Sequence, residues 1–363
     1  MALTMTLLVF LLILSILVLV HETGHFLAAK KAGIKVEEFA FGLPFTKPLV
    51  SKKMGETVYS VYPLIFGGFV KLFGEDGPPS SRHGGTSEGY AYFEKSIFQR
   101  TIVLLAGVFM NLVLAVVCFS ILYFIWGIPT KTGRVMVEAV TENSPAQLAE
   151  IKPYDYIISI DGNQISESSQ LIEITNNKAG EEIEIEITRE GQSFVVNLAP
   201  RANPPEGEGP LGVVITDTEF KKYPFYLMPF LGVREGLKDS LSWGKMVLSS
   251  LGQMVYSLVI KGKIPEEIAG PVGIYQITGQ AAKIGWLAVL QLLGIISVNL
   301  AIVNILPIPA MDGGRLVFLG YELVFKKKAP VKIEAAVNSI GMIVLLGLMF
   351  LITVKDLFRL AGK

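Results

Sequence analysis

The amino-acid sequence predicts a multi-pass α-helical membrane protein that carries an inserted β-rich domain. Of the 363 residues, 51% are hydrophobic and only 18% are charged, and the mean hydropathy is +0.51. A water-soluble domain of this length carries more charge, so the composition excludes a soluble enzyme. Lys and Arg together number 32, as do Asp and Glu, so the chain has no net charge that would attract nucleic acid.

Four long uncharged runs predict four transmembrane helices. They cover residues 2–20, 101–130, 284–311 and 335–354. Even the shortest, residues 2–20, would be about as long as the hydrocarbon core is thick, because a helix rises about 1.5 Å per residue. It lacks the preceding positive charge of a signal peptide, so we expect it to be retained. An even number of spans places both termini on the same side of the membrane.

The distribution of Lys and Arg predicts which side that is. Ten of these residues flank the connections between spans one and two and between spans three and four, whereas six lie at the opposite span ends. Positive residues concentrate in cytoplasmic loops. We therefore expect both termini to lie on the periplasmic or extracellular side of a bacterial inner (plasma) membrane.

A polar stretch between the second and third runs predicts a water-exposed β-rich domain on the outer side. Residues 131–208 carry fourteen acidic and six basic groups. Apolar or alternating segments bounded by turn residues are typical of strands. The predicted domains are a first membrane half (1–130), the β-rich domain (131–205), a linker with an interfacial helix (206–283) and a second membrane half (284–363).

The motif His21-Glu22-Thr23-Gly24-His25 directly follows the first uncharged run. Residues four apart on a helix share a face, so His21 and His25 can bind one Zn²⁺ while Glu22 reaches a water molecule. The alternative is a helix end whose polar residues emerge at the cytoplasmic headgroups. His83 lies in a Gly/Ser-rich loop, and we expect it to be solvated.

Asp312 is the candidate for a third ligand, because two histidines leave a zinc site one protein ligand short. A carboxylate at membrane depth costs about 2.5–3.5 kcal/mol, which coordination would offset. Pro307 and Pro309 break the helix before it, so this segment must line a cavity or other protein. The alternative is that Asp312 marks the cytoplasmic end of the third span, followed by a Gly-Gly turn.

Together the two motifs resemble those of the site-2 protease family of intramembrane zinc metalloproteases, in particular the bacterial regulator-of-sigma-E-protease type. The first motif matches HExxH, and the second, which begins at Asn304, matches NxxPxPxxDG. The resemblance implies that His21, His25 and Asp312 bind zinc. It further implies that Glu22 is the catalytic base and that Asn304 holds the substrate backbone.

The stretch Tyr59–Leu72 resembles the membrane-associated β-hairpin that this family places between its first two helices. An edge strand can pair with an extended substrate through main-chain hydrogen bonds, and this role would fall to Gly67, Gly68 and Phe69. A self-contained cytoplasmic hairpin is the alternative for this stretch.

The β-rich domain resembles a single PDZ domain, most clearly around Ser144-Pro145-Ala146 and the segment that ends at Asp161-Gly162. The chain departs from the PDZ pattern at Glu150 and Tyr154, where such domains commonly have glycine.

The fold class expected from these observations is a four-helix membrane protein with a membrane-associated β-hairpin and a PDZ domain. The expected activity is zinc-dependent hydrolysis of peptide bonds within transmembrane segments of single-span proteins, already shortened by another protease. The expected partners are those substrates and the lipid bilayer, with the active site towards the cytoplasm. The alternatives are a membrane-anchored PDZ scaffold with a vestigial metal site and a metal carrier.

Overall fold

The structure is a computed structural model, and it describes residues 2–64, 67–75, 89–205, 207–257, 260 and 270–360. The helices are α1 (Ala2–Lys31), α2 (Ile97–Trp126), α3 (Pro145–Leu148), α4 (Ser168–Asn177), α5 (Met228–Tyr256), α6 (Pro271–Ile284), α7 (Trp286–Ile305), α8 (Asp312–Phe325) and α9 (Val331–Leu360). Two compact units result: Met1–Leu122 together with Pro229–Lys363, and Tyr123–Met228. His83 lies outside the described residues.

Four helices of the described chain are long and apolar enough to cross a membrane, which confirms the predicted fold class. These are α1, α2, α7 and α9. The bounds of all four helices differ from those of the uncharged runs, and two of the differences bear on the predicted motifs. The first helix continues through the histidine motif to Lys31, so that motif is helical rather than at a helix end. The third run ends as a helix at Ile305, because two prolines follow within four residues.

The stretch assigned to a linker and an interfacial helix contains two described helices. The uncharged stretch 246–260, which predicts the interfacial helix of this region, falls largely in α5, and α5 begins much earlier, at Met228, and ends at Tyr256. A second helix, α6, begins at Pro271 and packs against α1, α7 and α9. Pro at the first helical position favours a start there, because its missing N–H would have no helical partner in any case.

A four-stranded sheet replaces the single hairpin expected over Tyr59–Leu72. The strands are β1 (Val36–Phe41), β2 (Val50–Met54), β3 (Thr57–Val61) and β4 (Gly68–Leu72), in the order β2-β3-β1-β4. Strands β3 and β4 do not pair with each other, because β1 lies between them, parallel to β3 and antiparallel to β4. The earlier segment takes this central place because Val36 and Ala40 are fully buried in it.

The second unit is built on a sheet of six strands, whose described pairs are all antiparallel. The strands are β5 (Ile128–Val140), β6 (Tyr156–Ile160), β7 (Asn163–Gln164), β8 (Ile183–Arg189), β9 (Gln192–Leu198) and β10 (Val213–Lys221). The order is β10-β5-β6-β8-β9, with β7 paired to β6. Alternate residues of β8, such as Ile183, Ile185 and Ile187, are buried in one hydrophobic core. The edge strand β10 lies in the stretch predicted as linker, where Val213 pairs with Val140.

The two positions that depart from the PDZ glycine pattern both adopt left-handed backbone conformations. Glu150 has φ +60° and Tyr154 has φ +72°. An L residue pays a steric cost in this region that glycine avoids. The loop therefore keeps the conformation that glycine would favour even though the chain has larger residues there.

Asp155, at the end of this loop, anchors it to β8. Its buried carboxylate accepts hydrogen bonds from Arg189 Nε at 2.7 Å and Nη2 at 2.6 Å, and from the Lys152 N–H at 2.7 Å. Burial alone would raise the pKa of this carboxyl, but the bonds from Arg189 and from the Lys152 backbone outweigh it and lower the pKa.

We predict that this carboxylate makes the β-rich unit acid-sensitive. Because the folded pKa is below the unfolded value of about 3.9, its stabilising contribution is present above that pH and is lost as pH falls through the folded pKa. Asp155→Asn should destabilise the unit by about 2–3 kcal/mol at neutral pH. Hydrogen exchange of β6 and β8 amides in the full chain measures this. An Asn variant with the same acid-induced loss as the parent would contradict the assignment.

Candidate metal centre

Helix α1 presents His21 and His25 one turn apart in the first unit. Their Nε2 atoms lie 3.1 Å apart, and the two rings are nearly perpendicular, with an interplanar angle of 84°. Both residues are buried, with 8% and 9% of their surface exposed. Two imidazole nitrogens therefore converge on one point within an apolar helix.

Asp312 reaches the same point from the other end of the chain. Its Oδ2 atom is buried and lies 3.2 Å from His21 Nε2 and 3.3 Å from His25 Nε2. Asp312 is the first residue of α8, which follows the proline break. The structure thus brings together the three residues that the two sequence motifs singled out.

Two glycines after Asp312 let α8 begin against the end of α7. A Cβ on Gly313 would lie 2.0 Å from the Leu306 carbonyl oxygen, and one on Gly314 would lie 2.5 Å from that of Ile308. Contacts this short are not possible for real Cβ atoms. The Gly-Gly pair is therefore required for the close backbone packing that places the carboxylate.

The three ligand atoms have the spacing that a zinc ion requires. They lie within 4.8 Å of one another, and the three measured separations run from 3.1 to 3.3 Å. Ligand atoms at about 2.0–2.1 Å from a tetrahedral Zn²⁺ would be about 3.3 Å apart. Two imidazoles and one carboxylate are also a known ligand set for catalytic zinc, so the residues fit the ion.

Residues of helix α2 contact the Nδ1 atoms of both imidazoles, on the side of each ring away from the other ligands. His25 Nδ1 lies 2.8 Å from the Val103 carbonyl oxygen, and His21 Nδ1 lies 3.2 Å from the amide nitrogen of Asn111. Between them, a Cβ on Gly107 would be 2.4 Å from His25 Nε2, so only glycine leaves room for the rings. Sequence reasoning missed these residues, although a buried amide inside a long apolar run is itself a signal of function.

Gly24, within the histidine motif, sets the approach of α1 to α2. A Cβ at this position would lie 2.3 Å from the Ala106 carbonyl oxygen. The two helices can therefore approach closely enough for the imidazoles of α1 to meet the backbone and side chains of α2.

Glu22 lies beside the ligands in a cleft of about 440 Å³. The cleft is lined by His21, Glu22, His25, Phe69, Val70, Lys71, Leu72, Glu75, Val103, Leu104, Ala310, Met311, Asp312 and Arg315. A Cβ on Gly68 would lie 3.4 Å from Glu22 Cγ, so β4 runs directly against the carboxylate-bearing side chain. One open cleft therefore holds the metal ligands, an acidic side chain and an edge strand.

The remaining predicted site residues lie at different distances from this cleft. Asn304 is buried on α7, with its amide nitrogen 3.4 Å from His21 Nε2. Phe69 lines the cleft on β4. Gly67 instead packs at the start of β4, where its φ is +126° and a Cβ would lie 2.9 Å from Leu43 Cδ2. It shapes the turn and does not line the cleft.

Comparison with known proteins places the whole chain in one family. The model of peptidase family M50 matches residues 9–348. A relative from Clostridium perfringens is 35% identical over 353 residues, which are 96% of this chain and 97% of the relative. The zinc metalloprotease RasP of Geobacillus kaustophilus is 29% identical, over 96% of each chain. The regulator of sigma-W protease RasP of Bacillus subtilis is 28% identical, over 98% of this chain and 99% of the relative.

A solved PDZ domain from Listeria monocytogenes also matches, at 25% identity and a TM-score of 0.22, over 24% of this chain and 92% of that domain. The family match covers both ligand motifs, all of α2 and α7, and the larger part of α1 and α9. The chain belongs to peptidase family M50, the site-2 protease family, and is a membrane-integral zinc metalloprotease.

Proposed function

We propose that this zinc metalloprotease cleaves peptide bonds within the transmembrane segments of single-span membrane proteins, after another protease has shortened them. The observation that carries the proposal is the meeting of His21, His25 and Asp312 among helices apolar enough to cross a membrane. A ligand cluster at this place can act on a peptide bond that is itself within the membrane.

In this proposal each residue of the cleft has one role. His21, His25 and Asp312 would hold the zinc ion, which would lower the pKa of a water molecule and polarise the peptide carbonyl. Glu22 accepts a proton from the attacking water and returns it to the leaving amine nitrogen. A new C–O bond forms at the peptide carbonyl carbon and the C–N bond then breaks, leaving a carboxylic acid and an amine, which become a carboxylate and an ammonium group at neutral pH.

In this proposal the edge strand β4 and Asn304 bind the substrate. A helical peptide bond is already hydrogen-bonded within its own helix, so the scissile segment must be extended before it can be cleaved. Strand β4 pairs with β1 on one side only among the described strands. Its other edge, with Gly68 and Phe69, can bind an extended segment, Gly67 shapes the turn before it, and Asn304 can hold the substrate backbone.

The orientation we propose places both termini and the PDZ domain on the periplasmic or extracellular side of a bacterial inner membrane. The cleft then lies towards the cytoplasm, as the Lys and Arg distribution indicates. The name of one relative, a regulator of sigma-W protease, favours substrates of the anti-sigma-factor kind. Remnants of signal peptides are the second substrate class that we propose.

We predict that the purified protein binds about one zinc per chain and that His21→Ala, His25→Ala and Asp312→Ala each lose it, because each removes one of three protein ligands. Elemental analysis after gel filtration measures this. Glu22→Gln is the matched control, because it changes a neighbouring side chain that is not a ligand. Stoichiometric zinc in the Asp312 variant would remove that residue from the site.

We predict that Glu22→Gln retains zinc but slows cleavage by at least about 10²-fold to 10⁴-fold, because an amide of the same size cannot accept the proton of water. The measurement is the appearance of a shortened fragment when parent and variant are each co-expressed with candidate single-span proteins. Unchanged cleavage by the zinc-loaded variant would contradict the role of Glu22.

We predict that Phe69→Pro and Asn304→Ala slow the cleavage of a stable Leu-rich helix more than that of a helix with glycine near the cut. The glycine-containing substrate needs less help to unwind. Proline at position 69, which pairs with Ala40 of β1, removes a donor from the β1–β4 ladder and so displaces the edge that would hold the substrate. Lys52→Pro, on the opposite edge strand β2, is the control and should spare both substrates. Equal losses on both substrates, with zinc retained, would contradict an unwinding role.

A further inference from the structure

Three residues of α2, spaced one helical turn apart, face the two histidines. Val103, Gly107 and Asn111 lie at positions i, i+4 and i+8, so they share one face of the helix. The Val103 carbonyl oxygen lies within hydrogen-bond distance of His25 Nδ1, and Gly107 leaves room for the His25 ring because it has no Cβ. Asn111 is the third residue of this face. In its contact with His21, two nitrogen atoms that would both be hydrogen-bond donors face each other.

The conflict follows from the atom of His21 that faces the other ligands. Its Nε2 atom lies 3.2 Å from Asp312 and 3.1 Å from His25, so this nitrogen is the one placed to bind zinc through its lone pair. A neutral imidazole then carries its proton on Nδ1, which must donate. Yet the atom of Asn111 nearest to Nδ1 is the amide nitrogen, at 3.2 Å, which is also a donor.

The same side chain contains the acceptor that Nδ1 needs. The Oδ1 atom of Asn111 is buried and has no hydrogen-bond partner among the described residues. A half-turn of the amide about its last side-chain torsion exchanges oxygen and nitrogen with little change in shape. That turn would place Oδ1 on the Nδ1–H of His21, which removes the clash of two donors and satisfies the buried oxygen.

Asn111 is also held firmly enough to orient the ring. No part of its surface is exposed, so its amide must find partners within the protein. Its backbone carbonyl accepts a 2.8 Å hydrogen bond from Ser297 Oγ on α7. The side chain therefore starts from a backbone position that two helices fix.

We propose that Asn111 is a positioning residue of the zinc site, whose Oδ1 accepts the Nδ1–H of His21 and so fixes the tautomer that leaves Nε2 free for the metal. The inference rests on the zinc ligands proposed above. An acceptor behind a ligating histidine orients the ring and raises its basicity, and its loss typically weakens metal binding by about 10-fold to 100-fold.

The test compares zinc dissociation constants, measured by chelator competition, for the parent, Asn111→Leu and Asn111→Asp. The leucine side chain has similar size but no acceptor, and we expect zinc binding about 10-fold to 100-fold weaker. Aspartate keeps an acceptor and has no donor, so it should stay within about threefold of the parent or bind zinc more tightly. Asn111→Ala gives the same comparison as leucine if the leucine variant does not fold.

Asn299→Leu is the matched control. Asn299 lies on α7. Within the part of the chain that the structure describes, its buried Oδ1 likewise has no hydrogen-bond partner, and no hydrogen bond joins it to a histidine. The same substitution there should leave the zinc dissociation constant unchanged. Equal weakening by both leucine variants would show a general packing effect and overturn the proposal.

A spectroscopic readout completes the test. The chain has three histidines, so ¹⁵N labelling of histidine gives few ring signals. In the zinc-loaded parent and in Asn111→Asp, the Nδ1–H of His21 should be protected from exchange, and in Asn111→Leu this protection should be lost. An aspartate variant that binds zinc as weakly as the leucine variant would overturn the proposal.

These outcomes separate the inference from the function. A parent that binds zinc but cleaves no substrate would contradict the proposed proteolysis and leave the role of Asn111 intact. An active parent whose zinc affinity is unaffected by Asn111→Leu would overturn the inference alone. A parent that binds no zinc would overturn the metal site and the inference together.

Discussion

The burial of three ionisable groups among membrane helices is the constraint on which the rest of the first unit depends. A carboxylate and two imidazoles in an apolar environment are costly unless each finds a partner of the right kind. Here they find one another, within 3.1 to 3.3 Å. That convergence needs helix backbones to approach more closely than ordinary side chains allow, which is the purpose of Gly24 and Gly107.

The same constraint explains why the third apolar run is broken. A continuous helix through Pro307 and Pro309 would carry Asp312 onward along the axis of α7, and the break lets the chain turn back instead. The freed backbone groups find new partners: the Ile308 N–H donates to Leu306, and the Ala310 N–H donates to Asn338 Oδ1 of α9. Irregular backbone at membrane depth is tolerated when protein satisfies it in this way.

Sequence reasoning succeeded where the information is local and failed where it depends on contacts between distant segments. His21 and His25 are one turn apart on a helix, and the prolines before Asp312 require a cavity, so both motifs point to chemistry on their own. The contact between Asn111 and His21 joins residues 90 positions apart, and no spacing rule predicts it.

The sheet of the first unit illustrates the same limit. The stretch from β3 to β4 has the alternating pattern of a hairpin. In the structure, however, β1, which precedes both strands in the sequence and carries fully buried residues, lies between them. Likewise β10 follows a Pro- and Gly-rich stretch typical of a linker, and only its pairing with β5 shows that it completes the second sheet. Local pattern indicates that strands exist, whereas their order depends on which apolar faces are buried together.

Helix α2 contacts both of the helices that carry the metal ligands, α1 and α8. Along one part of its length it fixes the rings of α1, through the Val103 carbonyl and Asn111. Near its first turn, the buried Arg100 donates to Glu322 of α8 at 2.8 Å, and α8 begins with Asp312. The breaking of a buried ion pair leaves an uncompensated charge, so this contact resists any shift of α8 along α2. Ligands that come from opposite ends of the chain thus keep their spacing because the elements that carry them are each tied to the same helix.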